Sequence, residues 1–114
     1  MVDQPVVDAV RTYLRALADK GLPVRFGVVF GSQANGQTGR WSDIDLLVIS
    51  PRFDDIKDRS DVDLLWRVAA RTDSRIEPQP CGEQQWKADG SSAILELARR
   101  SGQRIDLEDA VAAG

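Results

Sequence analysis

The chain contains no histidine and one cysteine, Cys81, among its 114 residues. Without histidine there can be no histidine general base, no Ser-His-Asp triad and no zinc site ligated by histidine. A single cysteine excludes an internal disulfide bond and a cysteine zinc cluster, and it fits a reducing cytoplasm. Any catalysis must therefore depend on carboxylates, lysine or arginine, hydroxyls and hard cations. Oxygen ligands of this kind select Mg²⁺ or Mn²⁺ rather than zinc.

Long apolar segments and an excess of basic charge are also missing. No run of about 18 apolar residues and no signal peptide occurs, so we expect no membrane span and no export, and we predict a cytoplasmic protein. The net charge of −3 argues against direct binding to nucleic acid, which needs a basic surface. The length suits one domain with a modest core, and we predict that residues 1–114 form a single domain.

The hydrophobic pattern predicts a mixed α+β fold with the element order α-β-turn-β-α-β-α. About a dozen residues join the first two strands, too few for a parallel crossover, so we expect these strands to be antiparallel. The third strand follows a helix and can lie parallel beside the second. The predicted elements are a helix over 5–20, strands over 24–30 and 43–49, a helix capped by Ser60, a strand over 74–78, irregular chain over 79–89 with a helical turn near Trp86, a helix capped by Ser91 or Ser92, and a short strand around Ile105 and Leu107.

Asp43 and Asp45 are the candidate catalytic residues with the clearest pattern. They stand two residues apart at the start of an apolar strand, so both side chains point to one face of the sheet. The antiparallel pairing places them near Gly31 and Ser32, which end the preceding strand. A parallel third strand would bring Glu77 to the same place.

Three carboxylates beside a small-residue turn suit metal-dependent chemistry on a nucleoside triphosphate. Divalent cations held by carboxylates can neutralise charge on the attacking and leaving oxygens. Backbone N–H groups around Gly31 and Ser32 suit an anionic phosphate. Taken alone, Ser42-Asp43-Ile44-Asp45 is also typical of a capped turn with solvated acids. The spacing to the Gly-Ser pair and the element order favour the functional interpretation.

These segments resemble the minimal nucleotidyltransferase (MNT) group of the DNA polymerase beta nucleotidyltransferase superfamily. The resemblance is carried by three segments, Phe30-Gly31-Ser32-Gln33-Ala34-Asn35-Gly36, Ser42-Asp43-Ile44-Asp45-Leu46-Leu47-Val48 and Arg75-Ile76-Glu77-Pro78. It implies a polymerase-beta-like nucleotidyltransferase core, in which a small mixed sheet is flanked by helices.

The resemblance also implies an activity. A nucleoside monophosphate, AMP from ATP or its counterpart from another nucleoside triphosphate, would be transferred to a hydroxyl with Mg²⁺ or Mn²⁺ as cofactor. Asp43, Asp45 and Glu77 would be both metal ligands and catalytic acids, and Gly31 and Ser32 would bind the nucleotide. Many small members resemble antitoxins that transfer AMP to a tyrosine of a HEPN-type toxin.

One departure from the family pattern keeps alternatives open. Many relatives carry a basic residue directly after Gly-Ser, where this chain has Gln33, and Arg40 or Arg75 are the candidates to replace its charge. A non-enzymatic antitoxin that masks its partner sterically is one alternative, and an aminoglycoside-type small-molecule nucleotidyltransferase is another. Because the chain is short, we expect either that the acceptor docks from outside or that a second subunit completes the site.

The three tryptophans have different predicted places. Trp66 falls on an apolar helical stripe with Val62, Leu65 and Ala69 and is predicted to lie in the core. Trp86 could cover the core or face a partner. Trp41 lies in a polar loop, where it could stack on a base or fold over the core.

Overall fold

The computed structural model describes residues 2–31, 43–55 and 59–108. It contains four strands and four α-helices in these ranges, with a short 3-10 helix over Pro51–Asp54. In chain order the elements are α1 (Gln4–Asp19), β1 (Phe26–Phe30), β2 (Ile44–Ile49), α2 (Ser60–Thr72), β3 (Ile76–Cys81), α3 (Glu83–Ala88), α4 (Ala93–Ser101) and β4 (Gln103–Ile105). The predicted mixed α+β class is confirmed.

The four strands form one mixed sheet in the order β3-β2-β1-β4. β1 is antiparallel to β2 and to β4, whereas β2 and β3 are parallel. Both predicted pairings, the antiparallel one between the first two strands and the parallel one between the next two, are therefore confirmed. The helix α2 supplies the crossover that a parallel pair requires.

The larger part of the core lies between one face of the sheet and the helices α1 and α2. Pro5 lies in the first turn of α1, where a missing N–H costs no hydrogen bond. Behind it the apolar side chains recur at helical spacing and face the sheet. The fully buried members of this cluster include Val10, Leu14, Leu17, Val29, Ile44, Leu46, Leu65 and Ile76.

The opposite face of the sheet carries a smaller cluster beneath α3 and α4. Leu95 and Ala98 of α4 pack there with Phe26, and Trp86 of α3 meets Phe26 edge to face at 6.0 Å between ring centroids. Arg99 donates hydrogen bonds to the Trp86 and Asp89 carbonyl oxygens, which ties α4 to the end of α3. Of the two predicted places for Trp86, the structure shows the one that covers the core.

Three predicted details of the helices and strands differ from the structure. Ser60 is the first residue of α2 rather than its cap, which is Arg59, so that cap prediction is wrong by one residue. The third strand does not end at Pro78 but continues through Pro80 to Cys81. It can do so because β3 is an edge strand, where a residue without an N–H loses no ladder hydrogen bond if it faces outward. Residues 83–88, predicted as irregular with one turn, form α3.

The predicted core position of Trp66 is wrong, because 49% of this residue is exposed. The buried stripe of α2 runs through Leu65, Val68 and Ala69. Trp66 is one residue past Leu65, about 100° around the helix, and this rotation carries it out of the buried stripe. At the other helix ends the predictions hold: Ser92 accepts a hydrogen bond from the Leu95 N–H, and Gly102 caps the end of α4.

Within the described residues, no helix is both long enough and apolar enough to cross a membrane.

Tyr13 links the two helices of the larger cluster through one buried hydrogen bond. Its hydroxyl donates to the Leu65 carbonyl oxygen at 2.9 Å, and burial raises the pKa of the phenol. We expect Tyr13→Phe to lower the free energy of unfolding by about 1 kcal/mol, since a net hydrogen bond is lost but the carbonyl stays within its helix. Urea denaturation measures this loss. Trp66→Phe, at an exposed site on α2, is the control and should change stability little; equal effects of the two substitutions would contradict the assignment.

Candidate active site

Three carboxylates meet at one end of the sheet, and we call Asp43, Asp45 and Glu77 the acid cluster. In the sheet register Asp45 lies opposite Phe30 on β1 and opposite Glu77 on β3. Asp43 stands one residue before β2. The antiparallel pairing of β1 with β2 and the parallel pairing of β2 with β3 bring these three positions to one edge, as the pattern of the sequence predicts.

The acid cluster lies on the same side of the sheet as α4. Side chains alternate between the two faces of a strand, and Leu47 and Ile49 of β2 belong to the smaller apolar cluster beneath α4. Asp45 therefore shares their face, and Glu77 shares it through its register with Asp45. The larger apolar cluster beneath α1 and α2 occupies the opposite face, so the site does not interrupt the main core.

The carboxyl group of Glu77 interacts with both aspartates. Repulsion by Asp43 is the largest cause that raises its pKa, followed by burial, and hydrogen bonds with Asp43 and Asp45 act in the same direction. Two carboxyl groups at hydrogen-bonding distance can share a proton, and one of them then stays protonated at a higher pH than an isolated carboxyl group does. Glu77 is thus placed to hold a proton next to the aspartates.

Asp45 is the most enclosed of the aspartates in this cluster. Burial is the main cause that raises its pKa, and repulsion by Asp43 adds to it, whereas a hydrogen bond with Glu77 lowers it. Negatively charged groups are thus concentrated where Asp45 is partly shielded from water. Such clusters are typical of functional sites, because a carboxylate gains little stability from like-charged neighbours.

Gly31 approaches the acid cluster so closely that a larger residue would not fit. Its φ angle is +73°, a left-handed conformation that favours glycine, and an added Cβ would lie 2.6 Å from Asp45 Oδ2. The glycine of the Gly-Ser pair is therefore directly beside the carboxylate, as predicted. Ser32 lies outside the described residues, as do Gln33, Arg40 and Trp41.

Arg75, one of the two predicted replacements for the missing basic residue, stands just before β3. Its side chain donates to the carboxylate of Asp73 from Nε at 3.0 Å and from Nη2 at 2.6 Å. The backbone N–H of Arg75 donates to the same carboxylate. The partnership with Asp73 was missed in the sequence, although an Asp two residues before an Arg, after the end of a helix, is a usable signal for it.

The acid cluster fits a divalent cation that is held in part by its substrate. In the described ranges, no group of three or more histidine, cysteine, aspartate or glutamate side chains is placed to hold a metal ion as a preformed cage. Mg²⁺ rarely uses such cages in proteins, because it keeps several waters and binds one or two carboxylates together with substrate phosphates. The all-oxygen donor set and the mutual repulsion within the cluster favour an ion of this kind.

The raised pKa values make the acid cluster a source of pH-dependent instability. The folded chain binds protons at Asp45 and Glu77 more readily than the unfolded chain, whose carboxyls titrate near 3.8 and 4.5. The contribution of these groups to stability therefore falls as the pH rises from those values through the raised ones. We expect Asp45→Asn to raise Tm by a few degrees at neutral pH and to leave Tm nearly unchanged near pH 4.

Thermal denaturation across this pH range checks the expectation, with Asp63→Asn, at an exposed position of α2, as the control. Added Mg²⁺ should narrow the difference in Tm between Asp45→Asn and the wild type, because it stabilises the wild type alone. A variant that is less stable than the wild type at neutral pH would contradict the repulsion argument.

Solved structures with the same fold include three nucleotide-related proteins. A predicted nucleotidyltransferase from Sulfolobus solfataricus superposes with a TM-score of 0.57 at 14% identity, covering 86% of this chain and 77% of that one. A toxin–antitoxin structure with AMP-PNP gives 0.55 at 21% identity, covering 83% and 71%. A tri-AMPylated HEPN toxin in complex with MNT antitoxin from Shewanella oneidensis gives 0.51 at 18% identity, covering 87% and 71%.

At these identities the likeness establishes a shared fold, which confirms the predicted nucleotidyltransferase core. A sequence search of curated proteins gives no match. The family model described as a nucleotidyltransferase domain matches residues 10–98, a span that includes the acid cluster and Gly31. The predicted class of enzyme is thereby confirmed, and the chain belongs to the nucleotidyltransferase domain family.

Proposed function

We propose that this chain transfers AMP from ATP to a hydroxyl group, with Mg²⁺ or Mn²⁺ bound at the acid cluster. The observation that carries the proposal is the meeting of three carboxylates beside a glycine that leaves room for a phosphate. Gly31 and Ser32 would receive the triphosphate, as backbone N–H groups at a tight turn commonly do. The cation, when bound, supplies positive charge against the phosphate oxygens.

The residues of the chain have separate parts in this reaction. Asp43 and Asp45 would hold the cation, and Glu77 would join them or accept the proton of the attacking hydroxyl. The hydroxyl oxygen forms a bond to the α-phosphorus, the bond between that phosphorus and the bridging oxygen breaks, and pyrophosphate leaves. The raised pKa of Glu77 favours uptake of the hydroxyl proton by its carboxylate, as general-base catalysis requires.

We propose a tyrosine of a HEPN-type partner as the acceptor, which makes the chain an antitoxin. Two solved structures of this fold are toxin–antitoxin assemblies, one with AMP-PNP and one with an AMPylated HEPN toxin. The single-domain organisation over residues 1–114 and a cytoplasmic location are part of the proposal. A partner that docks from outside would bring its tyrosine to the exposed edge where Asp43 lies.

The test begins with the neighbouring genes: a HEPN-type protein encoded there is co-expressed with this chain, and the pair is purified. ATP labelled at the α-phosphate should transfer label to the partner when Mg²⁺ or Mn²⁺ is present, and the intact mass of the partner should rise by whole AMP units. Replacement of the modified tyrosine by phenylalanine should abolish the mass change. Absence of transfer with both ions and an intact complex would overturn the proposal.

The second candidate function is a non-enzymatic antitoxin that neutralises its partner by covering it. The sequence observation in its favour is Gln33, which stands where many relatives have a basic residue. A growth assay separates the two functions. If the Asp43→Asn and Asp45→Asn double variant still protects cells from the partner, masking is sufficient; if protection is lost while the complex forms, the transfer reaction is required.

A further inference from the structure

The three strands that carry the candidate site lie in a fixed order across the sheet. Gly31 follows β1, Asp45 lies on β2 and Glu77 lies on β3, and the register places Asp45 directly opposite Glu77. Neighbouring strands are about 4.8 Å apart, so Gly31 and Glu77 stand on opposite sides of Asp45. The proposed phosphate-binding residue and the proposed proton acceptor are thus separated by a proposed cation ligand.

This order decides the side from which the acceptor approaches. In a displacement at phosphorus, the attacking oxygen and the leaving oxygen lie roughly in line. With the leaving pyrophosphate held near Gly31 at the end of β1, the attacking hydroxyl must enter on the side of β3, next to Glu77. β3 is an edge strand, so no further strand of the described chain blocks this approach.

The face of the sheet that carries the acid cluster is covered above β1 and β2 but open above the middle of β3. Phe30 on β1 and Leu47 on β2 are 8% and 2% exposed, and both belong to the smaller apolar cluster beneath α4. Gln79 lies beside Leu47 in the register and on the same face, yet it is exposed. The cover that α4 provides therefore ends between Leu47 and Gln79.

Gln79 is the next residue after Glu77 on this face of β3. Side chains alternate along a strand, so positions 77, 79 and 81 share one side, and Cys81 identifies that side because it packs in the smaller apolar cluster. About 7 Å separates Gln79 from Glu77 along the strand. The side-chain amide of Gln79 makes no hydrogen bond with the described part of the chain. Its N–H donors and its carbonyl acceptor are therefore available to a bound molecule.

We propose that Gln79 is an acceptor-binding residue, whose amide hydrogen-bonds the protein segment that carries the acceptor hydroxyl. This inference rests on the proposed function, which supplies the acceptor. A primary amide both donates and accepts, so it can pair with the peptide groups of such a segment. Bound over Gln79, the segment presents its hydroxyl to Glu77 while the nucleotide occupies the other side of Asp45. Gln79 therefore contributes to the choice of acceptor and not to the binding of ATP.

The experiment measures the KM for the HEPN-type partner and, separately, the KM for ATP, from initial rates of label transfer from α-labelled ATP. Gln79→Met keeps the length of the side chain but removes its donors and its acceptor. We expect the KM for the partner to rise about fivefold, as the loss of one net hydrogen bond between neutral groups predicts, while the KM for ATP stays within about twofold. The Kd for the partner, measured without ATP by isothermal titration calorimetry, should rise as well.

The matched control is Gln84→Met, which makes the same change at an exposed glutamine of α3. The Gln84 N–H donates to the carboxylate of Asp54, a backbone contact that the substitution retains. The helix α3 follows the end of β3 that is remote from Glu77. This control should leave both KM values and the Kd unchanged, and circular dichroism and Tm establish that each variant is folded.

Two results would overturn the inference while leaving the proposed function intact: an unchanged KM for the partner in Gln79→Met, or a rise in its KM for ATP. The second would show that Gln79 acts on the nucleotide rather than on the acceptor. Absence of transfer by the wild type would instead overturn the proposed function and this inference together.

Discussion

The double variant Asp43→Asn with Asp45→Asn is expected to transfer AMP about a thousandfold more slowly than the wild type and to remain folded. The cation that these carboxylates would hold supplies several kcal/mol of charge stabilisation in the transition state, and each 1.4 kcal/mol is about tenfold in rate. The fold should persist because the acid cluster lies on the face opposite the larger apolar cluster. Initial rates of label transfer from α-labelled ATP measure the effect.

The sequence offers a matched control for this double variant. Asp61 and Asp63 have the same spacing as the aspartates of the acid cluster but lie at the start of α2. Asp61→Asn with Asp63→Asn therefore makes the same charge change away from the site and should leave the transfer rate within about twofold, since charges exposed to solvent interact weakly over distance. A loss of less than tenfold in the Asp43 and Asp45 variant would contradict their assignment as metal ligands.

Gly31→Ala is expected to have the second largest effect on transfer, a loss of about a hundredfold in rate. The added Cβ would lie 2.6 Å from Asp45 Oδ2, so the carboxylate or the turn must move. Displacements of about 1 Å in a catalytic arrangement commonly cost this much. The left-handed backbone adds a separate cost of about 1–2 kcal/mol to folding.

Gly21→Ala separates the two effects of this substitution. Gly21 also has a positive φ, +96°, but an added Cβ would meet nothing within 4 Å. It should lose stability as Gly31→Ala does and keep the wild-type rate. Urea denaturation and initial transfer rates measure both quantities. Equal rates for the two variants would show that the close approach of Gly31 to Asp45 is not needed.

Much of the fold and the placement of the acid cluster could be predicted from the sequence. The apolar residues from Val6 to Leu17 recur at helical spacing, and the apolar runs of β1 and β2 are typical of buried strands. The short link between these strands favours an antiparallel pair. Once β1 and β2 are antiparallel, Gly31 must lie near Asp45. The position of Glu77 follows from the crossover that α2 provides.

The features that could not be predicted depend on tertiary position. Trp66 is a large apolar residue of the kind that usually lies in a core. The rotation of α2 about its own axis, which its packing decides, buries the stripe through Leu65, Val68 and Ala69 instead. Pro78 and Pro80 argue against a strand unless its edge position is known. The pairing of Arg75 with Asp73 has a local signal in the spacing of the two residues, but its geometry depends on the turn between α2 and β3.

The two prolines of β3 have a consequence for how this sheet meets other chains. The carbonyl oxygens of Arg75 and Cys81 accept hydrogen bonds from the N–H groups of Ile44 in β2 and of Ser50 just after it. Backbone groups alternate in direction along a strand, so the backbone N–H and C=O positions of residues 76, 78 and 80 point away from β2, although the Ile76 side chain is buried. Pro78 and Pro80 have no N–H, and the N–H of Ile76 is already bonded to Asp73. The outer rim of β3 thus offers carbonyl acceptors without a single available donor. A strand from another chain could donate hydrogen bonds to this edge but could accept none from it. The edge therefore disfavours strand pairing between chains, which is the first step of aggregation through exposed sheet edges.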